Sequence, residues 1–207
     1  MATSAQLREQ IAAGRWDGPL AALYGTAPQE LARQRARYCA ALADYAGQAH
    51  GECSGEKEEL TLTYQTVRTV TDPFGPQMDI YQALRQHMED HAAAERASRL
   101  CLSGPHKDDL EVLINGRSAR QFASQGQVRT AALSLKLAER EIHKNAVGEY
   151  PVMLLDDVLS ELDDGRKQYL LTRMREKQTF VTSCDDTAFL KTDGEVYRMN
   201  GGVLTKV

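Results

Sequence analysis

Two adjacent acids, Asp156 and Asp157, close the apolar run Val152-Met153-Leu154-Leu155. A strand that ends this way carries both carboxylates to the C-terminal edge of a sheet, the edge at which open parallel sheets bind ligands. Side by side, the two charges repel at short range and call for a cation or a polar partner. With Mg²⁺ held by the first carboxylate, directly or through water, the second can orient or deprotonate a water that attacks a phosphoryl group. An ordinary strand ending in a turn, with acids at the start of the next helix, has the same residue pattern. Upstream, Ser124-Gln125-Gly126-Gln127 stands where a long helix begins. A hydroxyl, a glycine that admits close backbone approach and the free N–H groups of a first helical turn together form an anion site. Taken alone, the same four residues can simply cap a helix.

Other residues invite further readings. His106 and Lys107 sit in Ser103-Gly104-Pro105-His106-Lys107-Asp108-Asp109, an irregular loop whose basic pair precedes two acids. That pattern fits a polar network beside a site, and it fits a purely structural loop. His87 and His91 are spaced to share a metal on one helix face. No third ligand accompanies them, so a solvated helix face is the expectation. Arg117, Arg120 and Arg129 surround the helix start, where they can meet phosphate or balance acids. Trp16 reads as a packing residue.

The elements that must position these residues divide by pattern near Arg99. Over residues 29–50, Leu31, Tyr38, Leu42, Tyr45 and Ala49 recur at helical spacing, giving one apolar stripe about 30 Å long. Leu60, Leu62 and Tyr64 alternate with polar residues as in a half-buried strand. Residues 72–76 form a loop, and 77–97 return to helical character. Beyond that point Asn115-Gly116 marks a hairpin. A helix over about 125–145 follows, with Val128, Ala132, Leu135, Ala138 and Ile142 along one face. Residues 151–155 have the continuous apolar character of a buried parallel strand. A helix over 164–176, a second core strand over 179–182 and a terminal hairpin around Gly201-Gly202 complete the order. Strand, helix, strand at this spacing predicts an α/β fold for residues 99–207 and a mainly helical lobe for 1–98.

Composition sets limits on partners. The 207 residues carry a net charge of −4, with 42% hydrophobic and 26% charged residues, the ordinary globular range. Residues 1–98 hold 9 Lys and Arg against 13 Asp and Glu, a balance of −4, and residues 99–207 hold 16 of each, a balance of 0. Neither part has the basic surplus of a phosphate-backbone binder, so any DNA contact surface must be local or shared with another chain. No apolar run is long enough to span a bilayer, so no membrane is expected. Four scattered cysteines without a C-x-x-C pair suit a reducing cytosol.

A helix start of the form S-x-G-Q some thirty residues before an apolar strand ending in two acids is the order of ABC-type ATPases, in which one subunit's signature helix caps the nucleotide of the other. More specifically, Ser103–Leu110, Ile114–Gly116, Phe122–Glu139, Pro151–Asp163 and Gln178–Asp185 resemble successive C-terminal blocks of the RecF family of DNA-repair ATPases. The likeness is dense over about 99–190 and thinner over 20–98, which would be part of the family's inserted helical arm. The resemblance implies a partial ABC-type ATPase core plus that mainly helical lobe. By it, Asp157 is the catalytic acid and Asp156 the Mg²⁺-side acid of the Walker-B strand. Ser124, Gln125, Gly126 and Gln127 form the signature that meets ATP across a dimer, and Ser160 to Asp163 form the D-loop beside it.

The same resemblance implies ATP and Mg²⁺ as cofactors and an ATP-dependent homodimer. It further implies gapped, single- or double-stranded DNA and the recombination mediators of the RecF pathway as partners. The setting that the resemblance implies is recombinational repair, replication and the SOS response in the cytoplasm. Two departures stand out. No G-x-x-x-x-G-K-[ST] phosphate loop occurs among the 15 glycines, so the chain is expected to begin inside the arm and to be inactive alone. After the second core strand, Thr182-Ser183-Cys184 stands where many ABC ATPases place a histidine; the RecF family uses hydroxyl residues there. A non-catalytic DNA- or protein-interaction module and another SMC-like ATPase are the competing readings. The Ser103–Asp109 block and the short arm favour RecF over SMC-like relatives, whose coiled coils are far longer.

Overall fold

The computed structural model describes residues 27–159, 162–174, 177–184 and 194–207. Trp16, Ser160 and Glu161 lie outside the described residues. The chain parts into two compact units, one of residues up to 43 with 62–112, the other of 44–61 with 113–207. The break expected near Arg99 falls inside the first unit, and the end of the first long helix belongs with the second.

Helix α1 (Pro28–Ser54) runs four residues beyond the expected stripe, through Gly47 and Gly51. At Gly47 an added Cβ would stand 3.1 Å from the Leu60 carbonyl oxygen, so glycine permits a close backbone approach. The buried side of α1 is lined by Ala32, Ala36, Leu42, Ala46, Ala49, His50 and Cys53, whereas Tyr38 of the expected stripe is exposed. Small residues predominate on that inward side, with Leu42 and His50 the large ones among them.

Strand β1 (Leu60–Gln65), in the first unit from Leu62 onward, leads to helix α2 (Gln77–Ser98), and in that unit Ala32, Val67, Val70, Ile80 and Leu84 form a core. His87 is buried, not solvated as its spacing suggested: its Nδ1 lies 2.8 Å from Ser103 Oγ and its ring stacks on His91 at 4.0 Å. A hydroxyl partner offsets the cost of burying the imidazole. Among the described residues no group of three candidate ligands could hold a metal ion. The turn Pro105–Lys107 is a short 3₁₀ helix leading into β2 (Asp109–Ile114). Arg35 bonds the Pro105 carbonyl and, at 2.9 Å, Asp108, which also accepts from Tyr64 Oη at 2.6 Å.

The expected hairpin forms: β2 pairs antiparallel with β3 (Arg117–Ser118), and Asn115 and Gly116 take positive φ of 51° and 73° in the turn. These are the residues that adopt a left-handed backbone most readily. Sheet order is β1-β2-β3. After the short helix α3 (Ala119–Phe122) comes α4 (Gln125–Val147), ended by Gly148 at φ 94°. The buried face of α4 is rotated from the expected stripe. Thr130, Ala131, Leu133, Ser134, Leu137, Ala138 and Arg140 are buried, while Val128 is 47% exposed and Ala132 is exposed. Thr130 and Ser134 tolerate burial because each hydroxyl donates to the carbonyl four residues back, at 2.8 Å.

Strand β4 (Met153–Leu155) pairs in parallel with β5 (Thr179–Val181), in register from Met153 with Thr179 to Leu155 with Val181. Between them lies α5 (Asp164–Met174). Leu133, Leu137, Met153, Leu155, Leu159, Leu162, Leu170 and Met174 form the core. The apolar run of β4 is buried on one side only: Leu154 is 74% exposed and Phe180 on β5 58%. Alternate strand residues point to opposite faces, and the core covers one of them. Strands β6 (Tyr197–Asn200) and β7 (Val203–Lys206) make the expected terminal hairpin through Gly201 and Gly202. No described helix is long and apolar enough to cross a membrane.

Burial sets an acid limit on stability. It holds His50 below the usual 6.5, outweighing the Glu58 carboxylate beside it, and likewise lowers His87, with His91 and Arg68 adding to the effect. Below about pH 6.5 the unfolded chain therefore binds protons that the folded chain refuses, and stability falls with pH. Burial opposes ionisation of Glu52 and Glu141, but hydrogen bonds from Arg173 to the first and Lys177 to the second outweigh it and hold both below 4.5. Their contribution is kept above that value and lost below it. Urea midpoints should thus decline between pH 6.5 and about 5, and His87→Asn should flatten that slope. A midpoint constant over this window would contradict the buried, neutral state of the two histidines.

Candidate functional site

The acid pair sits where strand β4 ends. Thr182, the first residue after β5, donates its backbone N–H to the Leu155 carbonyl at 2.9 Å, continuing the parallel ladder. Its hydroxyl thereby falls between the acids. Thr182 Oγ1 donates to Asp156 Oδ1 at 2.5 Å and accepts the Asp157 backbone N–H at 3.0 Å. Asp157 takes φ 49°, a left-handed conformation that turns the chain sharply out of the strand. Aspartate tolerates this region better than most residues. Both acids are exposed. Mg²⁺ binds through one or two carboxylates together with waters and substrate phosphates. Two exposed, oxygen-only acids at a strand end suit such a cation without a dedicated cage.

The second group is the start of α4. Ser124 and Gln127 form a reciprocal capping box: Ser124 Oγ accepts the Gln127 N–H at 3.2 Å, and Gln127 Oε1 accepts the Ser124 N–H at 2.9 Å. Helix geometry leaves the amides of Gln125 and Gly126 without intrahelical acceptors. Those are the donors that an anion would meet. Ser124 and Gln125 are exposed, Gly126 and Gln127 half-buried. The helix dipole adds positive potential at the same place.

A third group joins the second. Asp163 caps α5, accepting the Arg166 N–H at 3.0 Å on Oδ1, while its Oδ2 lies 3.4 Å from the Arg166 guanidinium. The guanidinium is also 3.5 Å from where a Cβ on Gly126 would stand. Arg166 therefore brings the residues expected as signature and D-loop to one place. Ser160, the other expected D-loop contact, lies outside the described residues.

His106 and Lys107 belong to the first unit, apart in membership from the acids and the α4 start. Both are exposed on the turn that Arg35 and Asp108 anchor, with His106 Nε2 3.1 Å from the Cys101 carbonyl oxygen. Arg117 lies over the Phe122 ring at 4.6 Å. Sequence reasoning missed Glu58, His50 and Arg166, and saw Thr182 only as a substitute for a histidine. Thr182 had a signal, a hydroxyl directly after the second core strand. Glu58 had none, since it sits in a charged loop 69 residues from Gln127.

No family model matches the chain. Over 196 residues, 92% of its length, the chain is 40% identical to the DNA replication and repair protein RecF of Heliobacterium modesticaldum, covering 51% of that protein. This chain is a RecF homologue. It is 41% identical over 180 residues to RecF of Bacillus subtilis, with 84% of this chain and 48% of that one aligned. A solved structure of the recombination mediator protein RecF-ATPrS in the RecFOR pathway superposes with a TM-score of 0.76 at 30% identity, covering 96% of this chain and 51% of that one. The chain thus spans about half the length of the RecF proteins it matches. A structure from work on ATP-driven dimerisation and DNA-stimulated activation of SMC ATPases shares the fold alone, with a TM-score of 0.52 at 15% identity, covering 85% of this chain and 88% of that one. The architecture is accordingly that of RecF and SMC ATPase domains: a partial ABC-type α/β core with a helical lobe.

Proposed function

We propose that these residues are the C-terminal part of a RecF-type ATPase for DNA replication and recombinational repair. They would supply the signature helix, the Walker-B acids and the D-loop. One observation carries this reading: in a RecF homologue, a Ser-capped helix start and a Thr182-clamped acid pair at a parallel strand end occur in the order that shared-site ATPases require. In this reading Mg²⁺, when bound, neutralises phosphate charge. The chain's own residues then divide the work. Asp156 faces the cation, and Asp157 orients or deprotonates the attacking water. The amides at Gln125 and Gly126, with Ser124, face the triphosphate held by the opposite subunit of an ATP-dependent homodimer, and Ser160 and Asp163 would be the D-loop residues that take part with them. Gapped or single- and double-stranded DNA and the mediators of the RecF pathway are the partners, in the cytoplasm. Residues 1–98 correspond to part of the inserted arm, and His106 and Lys107 offer a polar turn near it.

Phosphoryl transfer also needs backbone donors and a lysine that hold the β- and γ-phosphates in line, the work of a phosphate loop. No such loop occurs in these 207 residues. The signature meets ATP bound elsewhere and does not replace it. The chain alone should neither bind MgATP at micromolar concentration nor hydrolyse it. A restored protein, with a RecF N-terminal segment carrying the loop joined ahead of this chain, should do both. Calorimetry and phosphate release on the two proteins test this. Robust hydrolysis by the 207-residue chain, or an inert restored protein that is folded, would contradict the reading. The second outcome would favour a non-catalytic interaction module.

A further inference from the structure

We infer that Glu58 is a positioning residue for the signature turn, holding it through the Gln127 side chain. The inference rests on the functional reading above and adds to it the means by which the turn is held. Gln127 has two tasks in the structure. Its Oε1 closes the capping box on Ser124, and its Nε2 donates to Glu58 Oε1 at 3.0 Å. A carboxylate only accepts, so Glu58 fixes which end of the amide faces it and which faces Ser124. Without that partner the amide is free to rotate, and the reciprocal cap loses half of its bonds.

Glu58 is itself held from several directions. His50 Nε2 lies 3.1 Å from Glu58 Oε2, and His50 is fully buried at the end of α1. Because the carboxylate accepts, Nε2 carries the shared proton. The Arg166 guanidinium reaches Glu58 Oε2 at 3.8 Å while contacting Asp163 with its other arm at 3.4 Å. On the backbone, the Glu58 N–H donates to Ser54 Oγ at 3.2 Å. The next residue is locked to the β2–β3 hairpin, with the Glu59 N–H on Asn115 Oδ1 at 2.8 Å and the Asn115 N–H on the Glu59 carbonyl at 2.9 Å. A carboxylate pinned this firmly transmits position rather than following it. It ties the end of α1, the α4 start and the cap of α5 into one polar cluster.

Such a tie matters where donors must meet a phosphate that arrives from another subunit. Preorganised N–H groups lose their effect when displaced by a fraction of an ångström. Glu58 need not touch nucleotide to govern this. Its removal should weaken ATP-dependent dimerisation while leaving each subunit's own MgATP binding intact.

The test reverses the polarity of the bond in the restored protein. Gln127→Glu keeps an oxygen for the Ser124 N–H but sets two carboxylates face to face. It should weaken MgATP-dependent dimerisation, read by sedimentation, about tenfold or more. Adding Glu58→Gln re-creates a donor–acceptor pair in the opposite sense and keeps an acceptor for His50. The double variant should recover dimerisation to within about threefold of the parent. Glu58→Ala should reproduce the loss, and it decides by the same criterion if Gln127→Glu does not fold. Parent-strength dimerisation by Gln127→Glu or Glu58→Ala, or no recovery in a folded double variant, overturns the inference. Ser124→Arg, run alongside, separates the two levels. If it dimerises normally with MgATP, the signature assignment fails whatever Glu58 does; if it does not, only the Glu58 results judge the positioning role.

Discussion

Asp157→Asn in the restored protein should lower ATP turnover by roughly 10²–10⁴-fold, the usual contribution of a positioned general base, and leave MgATP bound. The substitution removes the proton-accepting carboxylate and keeps a side chain of the same shape. Asp157 is held at the strand end by its backbone N–H on Thr182 Oγ1 at 3.0 Å, a bond that the side chain does not make. Its φ of 49° is one that asparagine accepts as readily as aspartate. Asp156, which shares the Thr182 hydroxyl, keeps its own bond at 2.5 Å and would keep the metal-side role proposed for it. Loss of turnover with retained binding is therefore the specific signature of a water-orienting acid. Phosphate release under single-turnover conditions, paired with calorimetric MgATP titration, reads both. Normal turnover would remove Asp157 from the reaction, and loss of binding would move it to the metal side.

The second large effect is on stability. Leu170→Ala should cost about 2–5 kcal/mol, a large share of the roughly 5–15 kcal/mol that holds a typical domain together. Leu170 is fully buried on α5, in the cluster that includes Met153 and Leu155 of β4 and Leu159 beyond it. Deleting its branched end leaves a cavity under the strand that delivers the acids, and a close-packed interior relaxes only partly into such a gap. Urea denaturation of the 207-residue chain, compared with an exposed control such as Val207→Ala at the C-terminus, measures the difference. A shift no larger than the control's would mean that α5 does not pack on the strand.

Much of this arrangement was legible in the residues because local chemistry decided it. Asn115-Gly116 and Gly201-Gly202 turned where left-handed backbone was needed, and Ser124 with Gln127 announced a helix start three residues apart. The apolar run into Asp156 gave a parallel strand. Helix faces were less legible. On α4 the inward side holds Thr130, Ser134 and Arg140 beside Leu133 and Leu137, and the expected stripe faces outward at Val128 and Ala132 although its Ala138 is buried. A hydropathy pattern does not anticipate hydroxyls that satisfy themselves on their own helix, nor a guanidinium kept under Tyr150 at 5.6 Å. His87 looked solvated for the same reason, since its partner Ser103 lies 16 residues away across a turn. Glu58 was the least legible of all. Its role depends on His50, Gln127 and Arg166, brought together by the fold from separate stretches of chain.

The central claim is that this chain caps a nucleotide held by another subunit, and sedimentation velocity of the restored protein tests it most directly. With MgATP the parent should shift from monomer to dimer, and without nucleotide it should not. Ser124→Arg should bind MgATP as the parent does yet remain monomeric, because a long cation at the exposed α4 start blocks the space that the opposing γ-phosphate must enter. A Ser124→Arg protein that dimerises with MgATP as fully as the parent would contradict the account.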